Sequence, residues 1–292
     1  MEEYISDNSL YIRSKNNSMI NRKMIGRVLG MLLFIELGMF LLCAGVSAGY
    51  GESDYKYFLY TCIINAVVGG LLLLYGRGAE NKMSRRDGYC VVTLSWVFFT
   101  FFGMLPFYFS GSIDTITNAF FETMSGFTTT GATILDDIES LSHGMLFWRS
   151  LTQWIGGLGI VFFTIAILPI FTTGGVQLFS AESTGVTHDR THPKINVMAK
   201  WLWTIYLVLT VSETVLLMFG GMSLFDAICQ SFATTATGGY STKQNSISYW
   251  NSPYIEYVVA IFMIVSSINF SLFLMCLKGK VGRLFKDEER HW

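Results

Sequence analysis

The sequence predicts an all-α polytopic membrane protein: an N-terminal helical hairpin, then two helix–loop–helix units whose loops re-enter the membrane. Three observations predict it. The 292 residues are 51% hydrophobic and 14% charged, against roughly 25% charged in soluble proteins, with mean hydropathy +0.44. Six apolar runs lie near 24–48, 55–75, 89–110, 145–170, 201–220 and 254–277. Each holds about 20 residues or more, enough to cross a hydrocarbon core of ~30 Å. A Thr-rich segment recurs at the same place within the last two pairs of runs.

Taken in order, residues 1–23 form a polar N-terminal segment. The run at 24–48 is too long for the apolar part of a signal peptide and is expected to stay in the protein. Residues 24–80 form the hairpin, joined by Gly49-Tyr50-Gly51-Glu52-Ser53-Asp54. The first unit spans 85–175, a polar linker 176–199 follows, and the second unit spans 200–278. Residues 279–292 read as the lead-in to a third unit. Within each unit a short helix is expected between the long ones, at about 115–125 and 225–232. Asp114 is expected to cap the first, and Ser223 with Asp226 resembles a capping box on the second.

Charge sets the orientation. Of the 20 Lys and Arg, 17 fall in the N-terminal segment, the 77–86 loop, the 190–200 stretch and the C-terminal tail. Only Lys56, Arg149 and Lys243 fall on the other side. The positive-inside rule therefore places both termini in the cytoplasm of a multi-pass plasma-membrane protein. Arg149, near the outer end of its run, is expected to snorkel. Cys43, Cys62, Cys90, Cys229 and Cys276 are scattered in or beside apolar segments and read as packing residues. His188 and His192 lie four apart, but Pro193 argues against a helical metal pair. No nucleophile–base pair or metal set points to an enzyme, no cofactor is implied, and nothing points to nucleic acid.

The chemistry sits in Phe127-Thr128-Thr129-Thr130-Gly131-Ala132-Thr133 and Thr234-Thr235-Ala236-Thr237-Gly238-Gly239-Tyr240. Their Thr-Gly pairs, Thr130-Gly131 and Thr237-Gly238, lie 107 residues apart (237 − 130). A helix of about ten residues rises only ~15 Å, so a chain that enters the membrane on one must come back out. Ordinary outer loops are the alternative, but both segments are apolar just before the Thr run and both recur in register. Irregular backbone at membrane depth requires burial in protein or a watery cavity. A cation filter meets that condition, with backbone carbonyls replacing the water around an ion. Thr129, Thr130, Gly131, Ala132, Ala236, Thr237, Gly238 and Gly239 are expected to supply those carbonyls. Gly131 and Gly238 are expected to adopt the left-handed conformation that a side chain opposes.

Other polar groups lie at membrane depth, a pointer to function. Glu122 is placed to brace the first loop. Glu36 and Glu213 are expected to face partner helices or an interface. Asn269 suits a helix–helix hydrogen bond or, second, ion contact. The glycines of Gln153-Trp154-Ile155-Gly156-Gly157-Leu158-Gly159 suit close packing, with a hinge or pore wall second.

Three stretches, Met124 to Thr133, Trp148 to Ile160 and Ala236 to Thr242, together with Asn269-Phe270-Ser271, resemble the Trk/Ktr/HKT superfamily of potassium transporters, nearest the TrkH type. The resemblance covers essentially 24–292, including an extra N-terminal helix pair. It implies helix–pore-loop–helix units with re-entrant filter loops, potassium uptake and a selectivity filter of the Trk system. It further implies a cytoplasmic nucleotide-binding regulatory partner with RCK domains, and a homodimer of full-length chains. In the plant branch a Ser at the first filter glycine accompanies sodium transport, so two glycines imply potassium. The family carries four units around one pore, whereas this chain stops at Trp292 after two. A truncated, non-conducting remnant is therefore the alternative expectation.

Overall fold

The computed structural model describes residues 20–79, 84–159 and 195–268. Among these there is no strand. The helices are α1 Arg22–Gly49, α2 Tyr55–Tyr75, α3 Arg85–Gly103, α4 Leu105–Ser110, α5 Ile116–Phe127, α6 His143–Gly157, α7 Ile195–Phe219, α8 Leu224–Thr235 and α9 Pro253–Ser267. A 3₁₀ turn, Ser246–Trp250, precedes α9. The expected tail at 279–292, most of the linker at 176–199, His188, His192, Cys276 and Asn269 lie outside the described residues.

Among the described residues, four helical stretches are long and apolar enough to cross a membrane: Arg22–Gly49, Tyr55–Tyr75, Arg86–Ser110 and Trp201–Phe219. The other two expected spans are described over 15 residues each, as α6 and α9. Their remainders, 160–170 and 269–277, lie outside the described residues. On α2 the exposed side is Leu59, Ile63, Val67, Leu71 and Leu74. Large aliphatic side chains at three- and four-residue spacing on an outer face suit contact with lipid.

The hairpin closes because small residues meet. A Cβ on Gly30 would lie 2.8 Å from the Gly69 carbonyl oxygen, and one on Gly69 would lie 3.2 Å from the Gly30 carbonyl oxygen. Small residues facing each other let membrane helices approach to backbone contact. Deeper in the pair, Asn65 Nδ2 donates to Glu36 Oε2 at 3.1 Å, with both residues fully buried. Glu36 thus faces a partner helix, one of the two placements its sequence position suggested. At the opposite end α1 and α3 start together. The Asn21 N–H donates to Asp87 Oδ1 at 2.8 Å, while Asp87 completes a capping box with Ser84.

The short helices differ in detail from expectation. α5 starts at Ile116 and its cap is Thr115, not Asp114. The extended Thr115 places its hydroxyl 3.2 Å from the Asn118 N–H, and Asp114 lies one residue outside the cap position. α8 is capped by Ser223, as expected, and runs three residues beyond the expected end, to Thr235. Within its last turn the Thr234 hydroxyl folds back onto the Gln230 carbonyl at 3.0 Å. The first residues of α6 are capped across the molecule. The Glu52 carboxylate, in the α1–α2 loop, accepts from the His143 and Gly144 N–H groups at 2.9 and 3.3 Å. A carboxylate at a helix start complements both the free N–H groups and the dipole.

Replacing Gly30 with Val tests the hairpin. The added side chain meets backbone that cannot move aside, so about 1–3 kcal/mol of stability should be lost. A lower melting temperature in detergent is the expected reading, and an unchanged one contradicts the close approach.

Candidate functional site

The two Thr-rich loops leave their helices by the same hydrogen bonds. After α5, the N–H groups of Thr128, Thr129 and Thr130 donate to the carbonyls of Met124, Gly126 and Ser125 at 2.8, 3.0 and 2.9 Å. After α8, those of Ala236, Thr237 and Gly238 donate to Phe232, Thr234 and Ala233 at 3.2, 2.9 and 2.8 Å. The backbone dihedrals follow the same order. Thr129 and Gly131 take positive φ (52° and 75°), and so do Thr237 and Gly239 (52° and 88°).

The loops therefore correspond at a spacing of 108 (239 − 131), not 107. Gly131 matches Gly239, and Gly238 matches Thr130. The expectation that Gly238 is left-handed was wrong. Aligning the Thr-Gly pairs picks the first of two adjacent glycines, whereas the helix end, counted from its last hydrogen bond, picks the second. Left-handed φ at Thr129 and Thr237 is uncommon for non-Gly residues and costs energy that the surroundings must supply. In a strand, successive carbonyls alternate sides. Alternating handedness breaks that pattern.

The loops touch. A Cβ on Gly131 would collide with the carbonyl oxygen of Gly238. Thr128, Thr130, Ala132, Thr237 and Gly239 keep an exposed side, while Gly238 and Tyr240 are buried. The Thr128 and Thr130 hydroxyls lie 2.8 Å apart.

Helix α6 stands between the loops and carries a repeated doublet: Trp148-Arg149, Thr152-Gln153, Gly156-Gly157. Residues four apart share a helix face. The stripe 148–152–156 serves the first unit. Trp148 Nε1 donates to the Gly103 carbonyl at 2.8 Å. A Cβ on Gly126 would strike Thr152, and one on Gly156 would strike the Phe127 carbonyl. The stripe 149–153–157 serves the second loop. Arg149 Nη1 donates to the Ser241 carbonyl at 3.0 Å, Gln153 Oε1 accepts from the Tyr240 N–H at 3.1 Å, and a Cβ on Gly157 would lie 2.7 Å from Ala236 Cα. Close packing is thus the role of Gly156 and Gly157.

Arg149 does not snorkel. It is 2% exposed, and its Nε donates to Glu122 Oε1 at 2.7 Å. A matched carboxylate inside the protein offers the guanidinium a charge-assisted bond that solvent at the helix end does not better. Glu122 also accepts from the Thr133 hydroxyl at 2.9 Å and from the Ile134 N–H at 3.0 Å, bracing the first loop as expected. The guanidinium stacks on Tyr240, 3.6 Å from the ring centroid. The Tyr240 hydroxyl donates to the Glu122 carbonyl at 2.8 Å, and the Ser125 hydroxyl to the Ala132 carbonyl at 2.6 Å. One connected network therefore holds both loops. Sequence reasoning quoted Gln153 and Tyr240 but gave them no role, although the four-residue spacing from Arg149 marks Gln153.

The second unit is held differently. Gln230 takes the place of Glu122, and its Nε2 donates to Thr234 Oγ1 at 3.2 Å. The descending limb is fixed by Asp226, which accepts from the Thr242 hydroxyl at 2.7 Å. Glu213 is fully buried behind α8, with the Thr235 hydroxyl 3.5 Å from its Oε2. No carboxylate is among the exposed loop residues. What the loops present is neutral oxygen, from backbone and threonine hydroxyls, which suits a hard monovalent cation.

Residues 55–290 match the TrkH family, described as a cation transport protein. The Trk system potassium uptake protein TrkH of Escherichia coli K12 is 41% identical over 268 residues, 91% of this chain and 56% of that protein. TrkG of the same strain is 31% identical over 270 residues, with the same coverage. Among solved structures, the potassium transporter TrkH from Vibrio parahaemolyticus superposes with a TM-score of 0.76 at 34% identity. That match covers 89% of this chain and 53% of the other. The chain spans about half the length of the curated relatives it matches.

Arg149→Leu leaves the Glu122 carboxylate buried without its cation, at a cost of about 3–5 kcal/mol. Pairing it with Glu122→Gln should cost clearly less than the sum of the two single changes. Denaturation of the purified protein and its three variants measures this. Strict additivity contradicts the pairing.

Proposed function

The chain belongs to the TrkH family of cation transport proteins, and from that premise we propose that it forms part of the potassium-translocating membrane subunit of a Trk-type uptake system. The observation that carries this reading is the contact of two loops with matched, alternating left-handed residues. Loops of that kind can turn successive carbonyls toward a shared axis, where they replace the hydration shell of a potassium ion. The ligand set is Thr129, Thr130, Gly131 and Ala132 with Thr237, Gly238 and Gly239. Ala236, which begins the second loop, is the eighth member, and in the matched register it corresponds to Thr128.

The helices before the loops support a cation as well. α5 and α8 each end at their loop, so the negative ends of their dipoles lie beside it. Glu122 and Arg149 neutralise each other and hold the backbone, so the ion meets oxygen geometry rather than net charge. The basic asymmetry of the sequence supports cytoplasmic termini in a bacterial inner membrane. The functional assembly takes a cytoplasmic regulatory partner of the RCK type and pairs as a homodimer of full-length chains.

Orientation is tested by cysteine labelling in intact cells. Arg86→Cys should resist a membrane-impermeant reagent, and Glu139→Cys should react. The reverse pattern inverts the topology.

Gly131→Ser and Gly239→Ser, each made in the full transporter, test the filter. A Cβ opposes positive φ at both positions. Discrimination of potassium over sodium should fall by about tenfold, equivalent to ~1.4 kcal/mol. Growth of an uptake-deficient strain at low potassium with added sodium gives the first readout, and ion uptake in the same cells gives the second. Parental selectivity in both variants counts against the filter.

A further inference from the structure

Two adjacent glycines in the second loop are glycine for different reasons. Gly239 has φ +88°, and a Cβ there would meet nothing within 4 Å. Its constraint is the backbone. Gly238 is not left-handed, but a Cβ there would fall on the Gln153 carboxamide, 2.5 Å from Oε1 and 2.7 Å from Nε2. Its constraint is space. The first loop carries Thr130 at the matching position, with an exposed side chain.

Gln153 is fully buried, four residues along α6 from Arg149. Its orientation is fixed by the Tyr240 N–H, which requires Oε1 as acceptor. Among the described residues its Nε2 then has no hydrogen-bond partner. A buried donor left without an acceptor is unfavourable, and a leucine of similar size would avoid it. Packing alone therefore does not explain an amide here.

We infer that Gln153 is a positioning residue for the second loop: it occupies the volume that a side chain at 238 would take, and it holds the Tyr240 N–H. The pair 153–238 then sets ion discrimination at this loop as one unit. The inference rests on the filter reading given above and deepens it.

A double-mutant cycle in the full transporter tests it. The variants are Gly238→Ala, Gln153→Ala and the double variant, with potassium and sodium uptake measured at matched membrane abundance. Gly238→Ala should lower the potassium-to-sodium uptake ratio about tenfold in the parent, and less than about threefold when Gln153 is already Ala. Gly239→Ala should cost the same in both backgrounds, because no neighbour can be trimmed to relieve its φ. Gln153→Glu, which keeps the acceptor, should retain more of the ratio than Gln153→Leu, which removes it.

An equal cost of Gly238→Ala with and without Gln153, or none in the parent, overturns the inference. So does a Gln153→Leu ratio equal to that of Gln153→Glu. If the unaltered transporter shows no preference for potassium, the proposed function falls instead. The same cycle read as melting temperatures of the purified proteins then decides the 153–238 pairing: non-additive shifts support it and additive shifts overturn it.

Discussion

The buried contact of Arg149 with Glu122 is the point from which both loops are held. Its geometry is short and fully enclosed, with the guanidinium also bound to the Ser241 carbonyl and stacked on Tyr240. A buried pair gains little net stability over well-packed apolar residues, because each charge gives up its water. What this pair supplies is connection. Glu122 belongs to the first short helix, Arg149 to the wall between the loops, and Ser241 to the second loop. A carbonyl-lined site needs its oxygens held near one spacing, and loops in sparsely populated conformations need surroundings that over-determine them. The network provides both.

The wall itself is a regular helix doing two jobs. A doublet repeated every four residues gives one face to the first unit and the adjacent face to the second. Side chains shrink along the helix from Trp148-Arg149 to Gly156-Gly157, letting the loops lie against backbone at the lower end. The two units are not copies, however. The Glu122 position becomes Gln230, and the limb-holding carboxylate moves to Asp226 at the start of α8. Glu122 holds the first loop directly, whereas the second is held by Arg149 at the Ser241 carbonyl, by Gln153 at the Tyr240 N–H and by Asp226 at Thr242, with α6 joining the two.

Much of this was legible in the sequence. Spans α1 and α2 were bounded within two residues by apolar length, because each run is almost wholly apolar and stops where polar residues begin. The two short helices and the loops that follow them were marked by Thr-Gly pairs in repeated units, and the bracing role of Glu122 by its place on the helix before the first loop. The misses have physical causes. Arg149 was assigned to solvent because a cation near a helix end can turn outward, and its partner lies 27 residues away. Asp114 was preferred over Thr115 because the two capping types are nearly equivalent and only the backbone turn selects between them. The loop register slipped by one because Gly238-Gly239 offers two glycines, and only the helix-terminal hydrogen bonds show which one is left-handed. Gln153 was quoted without a role because its contacts, Gly238 and Tyr240, are distant in sequence.

The central claim is that these two loops together hold the transported ion through backbone oxygen. The most direct measurement is an anomalous difference map from crystals of the full-length transporter grown with rubidium in place of potassium. The account predicts a peak between the loops, at coordination distance from carbonyls of 129–131 and 237–239. A peak bound instead by carboxylates elsewhere, with none between the loops, would contradict it.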